Sequence, residues 1–485
     1  MTSAPRRPRP FRRSRIAAKV SLPLAAAVLA PGLTGCAGSD RVAGEPALAP
    51  YYAQDITWKP CAEEKDKEVR AETERAGATA ECGRLAVPVS YADLKKGDLR
   101  LALMRYRTKG QDGRKGSLVV NFGGPGTSGL ARLTAYGPDG LGNAATRYDL
   151  VTFDPRGVGA SSPVRCGSGL AELRHGPGAS PAGRDGTAAY AEAQGKAFTT
   201  CRTTPGPVLP HVGTVNTARD LDVLRAALDE DKLHYLGFSY GSRLGAVYAH
   251  HFPRNVGRMV MDGVDAPVRD PKGAALARTA AYHKALRHAV ETCTAKGDED
   301  CMLGSDPDAA MADVERAFDG LDDEPLAWPG GGTLDRARAV AQTMALLRSR
   351  EGLPETQNLL AAIVYGVRPG ESATMAREAA DQAAGRSPDG TYDNSGEAMT
   401  AIDCADTATR YTADQVADAY EEFVEASPVF GPSMVTGMAA CTGWPLRGDD
   451  ASRDVRAVGA PKILMHTGEY DPATPVRWLT AMARA

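Results

Sequence analysis

Neither sign of charge dominates this 485-residue chain: 57 lysines and arginines stand against 60 aspartates and glutamates, a formal net charge of −3. Without a basic excess there is little to neutralise a phosphate backbone, which argues against a nucleic-acid partner. No Cys-x-x-Cys occurs and the eight histidines are scattered, so no metal-ligand spacing can be read. There is no internal repeat and no long low-complexity region. The apolar run at residues 20–33 contains Pro23 and Pro31 and has the length of a signal-peptide core, too short for a stable membrane span. The chain itself is too long for one small domain, so a core with a large insertion, or two domains, is expected.

Charge is less even at the N-terminus. Arg6, Arg7, Arg9, Arg12, Arg13, Arg15 and Lys19 precede the apolar run, with no acid before Asp40. The run closes on Leu33-Thr34-Gly35-Cys36, which resembles a bacterial lipobox; the resemblance implies cleavage that leaves Cys36 as a lipidated N-terminus. The plain alternative is a secretory signal in which Cys36 is incidental. Arg12-Arg13 matches twin-arginine export poorly. Residues 1–35 are thus expected to be a signal peptide with lipobox and 36–50 a tether. The chain is expected outside the cytoplasm, its membrane attachment confined to an N-terminal lipid. Setting Cys36 aside from nine cysteines leaves eight, an even number that fits disulfides in an oxidising compartment. They fall into sequence-local pairs, and the expected pairing is Cys61–Cys82, Cys166–Cys201, Cys293–Cys301 and Cys404–Cys441.

Residues 99–106 alternate as an edge strand would. Residues 117–122 and 148–153 read as short buried strands, the first running into Gly123-Gly124-Pro125-Gly126 and the second into Asp154-Pro155-Arg156-Gly157-Val158-Gly159. Residues 217–228 have helical spacing, with Asn216 or Thr217 as N-cap. Further strand text follows at 233–238 and 258–263. This alternation predicts a mostly parallel α/β sheet with flanking helices. From 266 to 455 the text turns Ala-, Arg- and Glu-rich and helix-prone, broken at residues 329–332, before residues 461–466 restore a buried strand. We expect a core in two parts, 51–265 and 456–485, the second part incomplete, with an inserted helical cap over 266–455.

The chemistry concentrates at Gly237-Phe238-Ser239-Tyr240-Gly241, a Gly-x-Ser-x-Gly set between strand and helix text. That is the pattern of a nucleophile elbow, with Ser239 on a strained turn at a helix N-terminus where N–H groups favour negative charge. One oxyanion donor would be the N–H of Tyr240 and the other a loop N–H, Gly124 first and Gly123 second. Asp471, in the turn after the last strand, is the candidate acid, with Glu469 behind it. A base is harder to find. His466 precedes the acid; His234, His250 and His251 flank the elbow; His175 and His211 sit in loop text; His283 and His288 lie in the cap region. Each reads better as structural or solvated, and no histidine follows Asp471.

Together these residues resemble the secreted α/β-hydrolase peptidases of the tripeptidyl aminopeptidase group, related to prolyl aminopeptidases. The shared features are the Gly-Gly-Pro-Gly loop at 123–126, Asp154 through Arg156, Gly157, Gly159 and Ser161, the elbow at 237–241, Phe252-Pro253, Asp262-Gly263, and Asp471 with Thr474-Pro475. The resemblance implies an α/β-hydrolase fold and release of short peptides from free N-termini through an acyl-enzyme, with no metal or organic cofactor. It also places the catalytic histidine a short stretch beyond the acid, so the chain is expected to be truncated and, as it stands, to turn over little. An acidic cap group would bind the substrate's α-ammonium; Glu421 and Glu422, near Phe423 and Phe430, fit the type but read equally as solvated helix residues. A carboxylesterase on the same machinery and a non-catalytic peptide-binding surface lipoprotein are the competing expectations.

Overall fold

A computed structural model describes residues 46–61, 73, 77–108, 113–175, 177–203, 207–267, 270–297, 300–328, 333–366, 370–387, 389 and 391–484. The expected signal peptide, Cys36, the tether as far as residue 45 and the break at 329–332 lie outside the described residues.

Eight strands make the main sheet: β1 Lys59–Pro60, β2 Ala78–Pro88, β3 Asp98–Thr108, β4 Ser117–Asn121, β5 Asp149–Phe153, β6 Leu233–Phe238, β7 Val256–Asp262 and β8 Leu464–His466. Their spatial order is β1-β2-β3-β5-β4-β6-β7-β8. The first three strands and β5 pair antiparallel, and the remaining neighbours pair parallel. Central parallel strands are covered on both faces and so carry apolar residues without alternation. Thus all of β5 is buried, and Val119, Val151, Phe153 and Tyr235 join the main core.

The stretch expected as an edge strand is instead interior, because β3 pairs along its length with β2 and again with β5. Its alternation is lost midway, where Leu101, Ala102, Leu103 and Met104 are all buried. β2 is broken by Thr79, Glu81, Gly83 and Arg84, and its apolar stretch Leu85-Ala86-Val87 is too short to read alone, which is why no strand was expected there.

Helices gather into separate packing groups. Pro271–Thr294, Pro307–Gly320, Arg336–Leu346 and Leu353–Tyr365 surround a cluster that includes Leu286, Val314, Phe318 and Leu359. Helix Ser395–Ala405 instead joins the main core through Ala398, Ala401, Ile402 and Cys404. Helix Gly183–Phe198, which precedes the elbow, packs through Tyr190 and Ala191 against Val416 and Phe423.

The helix expected over 217–228 runs Thr214–Ala227, and its N-cap is Gly213 with no side-chain cap. The free N–H of Thr214 is satisfied by a distant group, Asp406 Oδ1, at 2.8 Å. A cap supplied by tertiary contact leaves no local signal.

The guanidinium of Arg156 is fully buried and meets Asp220 through two bonds of 2.7 and 2.6 Å. It also donates to the carbonyls of Pro88, Val89 and His211, and Asp220 accepts from Tyr91 as well. Removing one member of such a pair leaves a buried charge uncompensated. Asp220→Ala is expected to lower unfolding free energy by about 3–5 kcal/mol, measured by urea denaturation; a loss under about 1 kcal/mol would contradict this reading.

Disulfides join Cys61–Cys82, Cys166–Cys201, Cys293–Cys301 and Cys404–Cys441. Such bonds persist in an oxidising, extracytoplasmic compartment. Cys404–Cys441 ties helix Ser395–Ala405 to the segment that leads back toward β8.

Candidate active site

β6 delivers Ser239 to the C-terminal edge of the sheet, and helix Tyr240–His251 begins on the next residue. Ser239 has φ 53° and ψ −121°, a conformation that costs a non-glycine residue energy and persists only when its surroundings enforce it. Several bonds do so. Ser239 N–H donates to Asp262 O at 2.8 Å, and its carbonyl accepts from Ser242 N–H at 2.8 Å and Ser242 Oγ at 2.6 Å. Tyr235 Oη donates to Gly241 O at 2.7 Å. The flanking glycines are required by close approach: a Cβ on Gly237 would lie 2.4 Å from Gly241 O, and one on Gly241 would lie 2.7 Å from Asn121 O. The Ser239 side chain is left partly exposed, and no hydrogen bond of its hydroxyl is found among the described residues.

The Gly-rich loop after β4 lies directly against this turn. A Cβ on Gly123 would come 2.9 Å from Ser239 Cβ. Gly123 N–H is already engaged, donating to Asn121 Oδ1 at 3.0 Å. Gly124 N–H has no partner among the described residues. Tyr240 supplies the first N–H of the elbow helix, while its ring is buried and its hydroxyl pairs with Thr214 Oγ1 at 2.7 Å. The loop is braced by Asp154, which accepts from Ser128 Oγ at 2.7 Å, Leu130 N–H at 3.2 Å and Ala160 N–H at 2.8 Å. Burial pushes the Asp154 carboxyl above the usual carboxylate range, against these bonds.

Asp471 is fixed by its own turn. Oδ1 accepts from Ala473 N–H and Thr474 N–H, each at 2.9 Å, and Oδ2 accepts from Thr474 Oγ1 at 2.6 Å. Gly263, the residue after β7, lies between this acid and the serine. A Cβ there would be 3.7 Å from both Ser239 N and Asp471 Oδ2. Glu469, the second candidate, points outward, with its side chain 73% exposed and 4.0 Å from Lys284.

The histidines go elsewhere. His466 Nδ1 meets Asp262 Oδ1 at 2.7 Å, with the imidazole 69% exposed. His288 stacks on Tyr470 with ring centroids 3.8 Å apart, and His175 stacks on Tyr392. His234 and His250 accept backbone N–H bonds from Arg258 and Arg456, and His211 lies beside Lys96. His251 Nε2 and His283 Nδ1 are buried without a partner among the described residues. Among the described residues no hydrogen bond joins a histidine to Ser239 or Asp471. Of the possible α-ammonium anchors, Glu422 pairs with Lys272 at 2.6 Å, Glu421 is exposed, and Phe423 and Phe430 are fully buried.

A buried polar cluster beneath the elbow has no counterpart in the sequence reading. Arg243, on the elbow helix, bonds Asp403 at 2.9 Å and lies 3.7 Å from Asp265 and 3.8 Å from Asp406. Burial alone would lower the Arg243 pKa, but the three carboxylates overcome it and raise it. Burial raises the Asp406 carboxyl in turn. Asp265 N–H donates to Ser242 Oγ at 2.8 Å, so the cluster reaches the elbow directly. Its members come from three separated stretches, which no local spacing connects.

A family model described as alpha/beta hydrolase fold matches residues 116–299, and one described as TAP-like protein matches residues 427–485. The chain is 34% identical over 484 residues to Serine protease Hip1 of Mycobacterium tuberculosis, covering 96% of this chain and 89% of that protein. It is 41% identical over 265 residues to the tripeptidyl aminopeptidase of Streptomyces lividans, covering 53% of this chain and 47% of that protein. A protein of Mycobacterium tuberculosis named Carboxylesterase B is 31% identical over 473 residues, covering 96% of this chain and 87% of its own length. With the sheet order and this likeness together, the chain belongs to the α/β-hydrolase peptidases of the tripeptidyl aminopeptidase group and is a serine hydrolase.

Proposed function

We propose that the chain releases short peptides from free peptide N-termini by acyl transfer to Ser239. The observation that carries this reading is the convergence at one sheet edge of the strained serine, the Gly124 N–H, unpaired among the described residues, and the Asp471 turn, with Gly263 between serine and acid. Ser239 Oγ attacks the scissile carbonyl carbon while a base takes its proton. The N–H groups of Gly124 and Tyr240 hold the oxyanion, because Gly123 N–H is committed to Asn121. The intermediate collapses, the C–N bond breaks, and the amine leaves with the proton returned by the base. Water then attacks the acyl-enzyme by the same route. The base is the histidine that the family order places beyond the acid, and Asp471 orients it and stabilises its cation. Assays of turnover therefore use a polypeptide that carries that histidine.

Acyl transfer to serine does not separate amides from esters, and the relative named Carboxylesterase B keeps the esterase reading in view. Paired assays decide between them. Tripeptidyl amides with free N-termini are expected to be cleaved, and N-acetylation to lower kcat/KM about 100-fold or more, as loss of a charge-paired group would. Equal turnover of free and acetylated amides, or turnover confined to short acyl esters, would contradict the aminopeptidase reading.

A further inference from the structure

The bonds found for the Asp471 carboxylate among the described residues stay within its own turn, to Ala473 and Thr474. They shape the turn without fixing its distance from Ser239. The root of the turn is held at the sheet edge, where Gly263 N–H donates to His466 O and Val264 N–H to Thr467 Oγ1, each at 2.9 Å. Its far side is held from a distant part of the chain, by Arg278 on helix Pro271–Thr294.

One guanidinium there serves three segments. Arg278 Nε donates to Ala473 O at 3.1 Å, a terminal nitrogen lies 3.5 Å from Asp265 Oδ1, and the group sits over the Trp478 ring at 5.0 Å. Trp478 is buried against Ala266 and Ala277. A planar fork can hold two oxygens while its face rests on a ring; the ammonium of lysine, a point charge, has no such fixed geometry.

Each partner leads to a reacting group. Ala473 O and Thr474 N–H belong to one planar peptide unit, so Arg278 bonds one end of a plane whose other end bonds Asp471 Oδ1. On the other side Asp265 N–H donates to Ser242 Oγ at 2.8 Å, and Ser242 Oγ donates to Ser239 O at 2.6 Å. The same helix touches the turn ahead of the acid as well: His288 stacks on Tyr470, and Lys284 lies 4.6 Å over the same ring. Stability alone does not account for the arrangement, because Arg278 is 44% exposed and exposed pairs add little to it.

We infer that Arg278 is a positioning residue, which holds the Asp471 turn in register with the elbow through the 473–474 peptide on one side and Asp265 on the other. The inference rests on Ser239 as nucleophile and Asp471 as acid in the reaction proposed above.

The test uses a polypeptide that carries the base histidine and reads two quantities, turnover of a tripeptidyl amide and the rate of fluorophosphonate labelling. Arg278→Gln is expected to lower kcat and the labelling rate about 10–100-fold, the scale of a displacement of about 1 Å at the reacting groups, with KM changed less than about threefold. The melting temperature is expected to stay close to the parent's. Arg278→Lys keeps the charge without the fork and is expected to be as slow as Arg278→Gln. In an Asp471→Asn background, Arg278→Gln is expected to lower kcat less than about twofold further, since a residue that acts through the acid has nothing left to position. Arg287→Gln is the control: that arginine is on the same helix, is 42% exposed and bonds Glu291 and Asp308, and its kcat is expected within about twofold of the parent's. Parent-like rates in Arg278→Gln, recovery in Arg278→Lys, an undiminished effect of Arg278→Gln beside Asp471→Asn, an equal loss in Arg287→Gln, or loss of the melting transition in Arg278→Gln would overturn the inference. If the parent labels on Ser239 yet cleaves no tripeptidyl amide, the peptidase reading fails, and the labelling rates still decide the role of Arg278.

Discussion

Replacing Ser239 with alanine is expected to lower kcat/KM toward a tripeptidyl amide by about 10⁵–10⁶-fold, the scale seen when a serine hydrolase loses its nucleophile. The size follows from the chemistry. Alanine removes the only atom that can form the acyl-enzyme, and what survives is the catalysis that oxyanion donors and substrate positioning give to water. The structure argues that little else changes. The bonds that pin residue 239 are made by its backbone, to Asp262 O and from Ser242, and all of them are open to alanine. The hydroxyl contributes no hydrogen bond among the described residues, so the melting temperature and substrate affinity are expected to stay close to those of the parent. A fall in activity with an equal fall in stability would point to a broken elbow. A fall of less than about tenfold would mean that the nucleophile lies elsewhere.

Asp471→Asn is expected to lower kcat by about 10⁴-fold with little change in KM. Oδ1 is held by Ala473 N–H and Thr474 N–H, contacts an asparagine oxygen can keep. The change falls on Oδ2, 2.6 Å from Thr474 Oγ1 and 3.7 Å from the Cβ position of Gly263. An amide NH₂ there cannot accept the imidazole N–H, so it favours the wrong tautomer and no longer stabilises the cation that forms in the transition state. Glu469→Gln is the control: that side chain is 73% exposed, and its replacement is expected to change kcat less than twofold or so. A larger effect from Glu469 than from Asp471 would reverse the assignment of the acid.

The elbow and the Gly-Gly-Pro-Gly loop were legible because each is a short local pattern forced by close backbone approach, and the Asp471 turn because its hydrogen bonds reach only two and three residues along the chain. Gly237, Gly241 and Gly123 stand where a side chain would collide, and that requirement is written into the sequence at fixed spacing. The central strands were legible for a similar reason, since burial on both faces demands an unbroken apolar run. What escaped was set by distance. β2 is broken by polar residues and went unread, and β3 is interior because it pairs with β2 as well as with β5. The cap of helix Thr214–Ala227 comes from Asp406, 192 residues away. Arg243 could be seen on the elbow helix, but nothing local links it to Asp265, Asp403 and Asp406.

The central claim is that Ser239 is the activated nucleophile of this fold, and active-site labelling tests it most directly. A polypeptide that carries the base histidine is treated with a fluorophosphonate, digested, and the adduct located by mass spectrometry. The account predicts one stoichiometric adduct on the peptide containing Ser239, absent from the Ser239→Ala form. An adduct on another residue, or one that persists in Ser239→Ala, would contradict it.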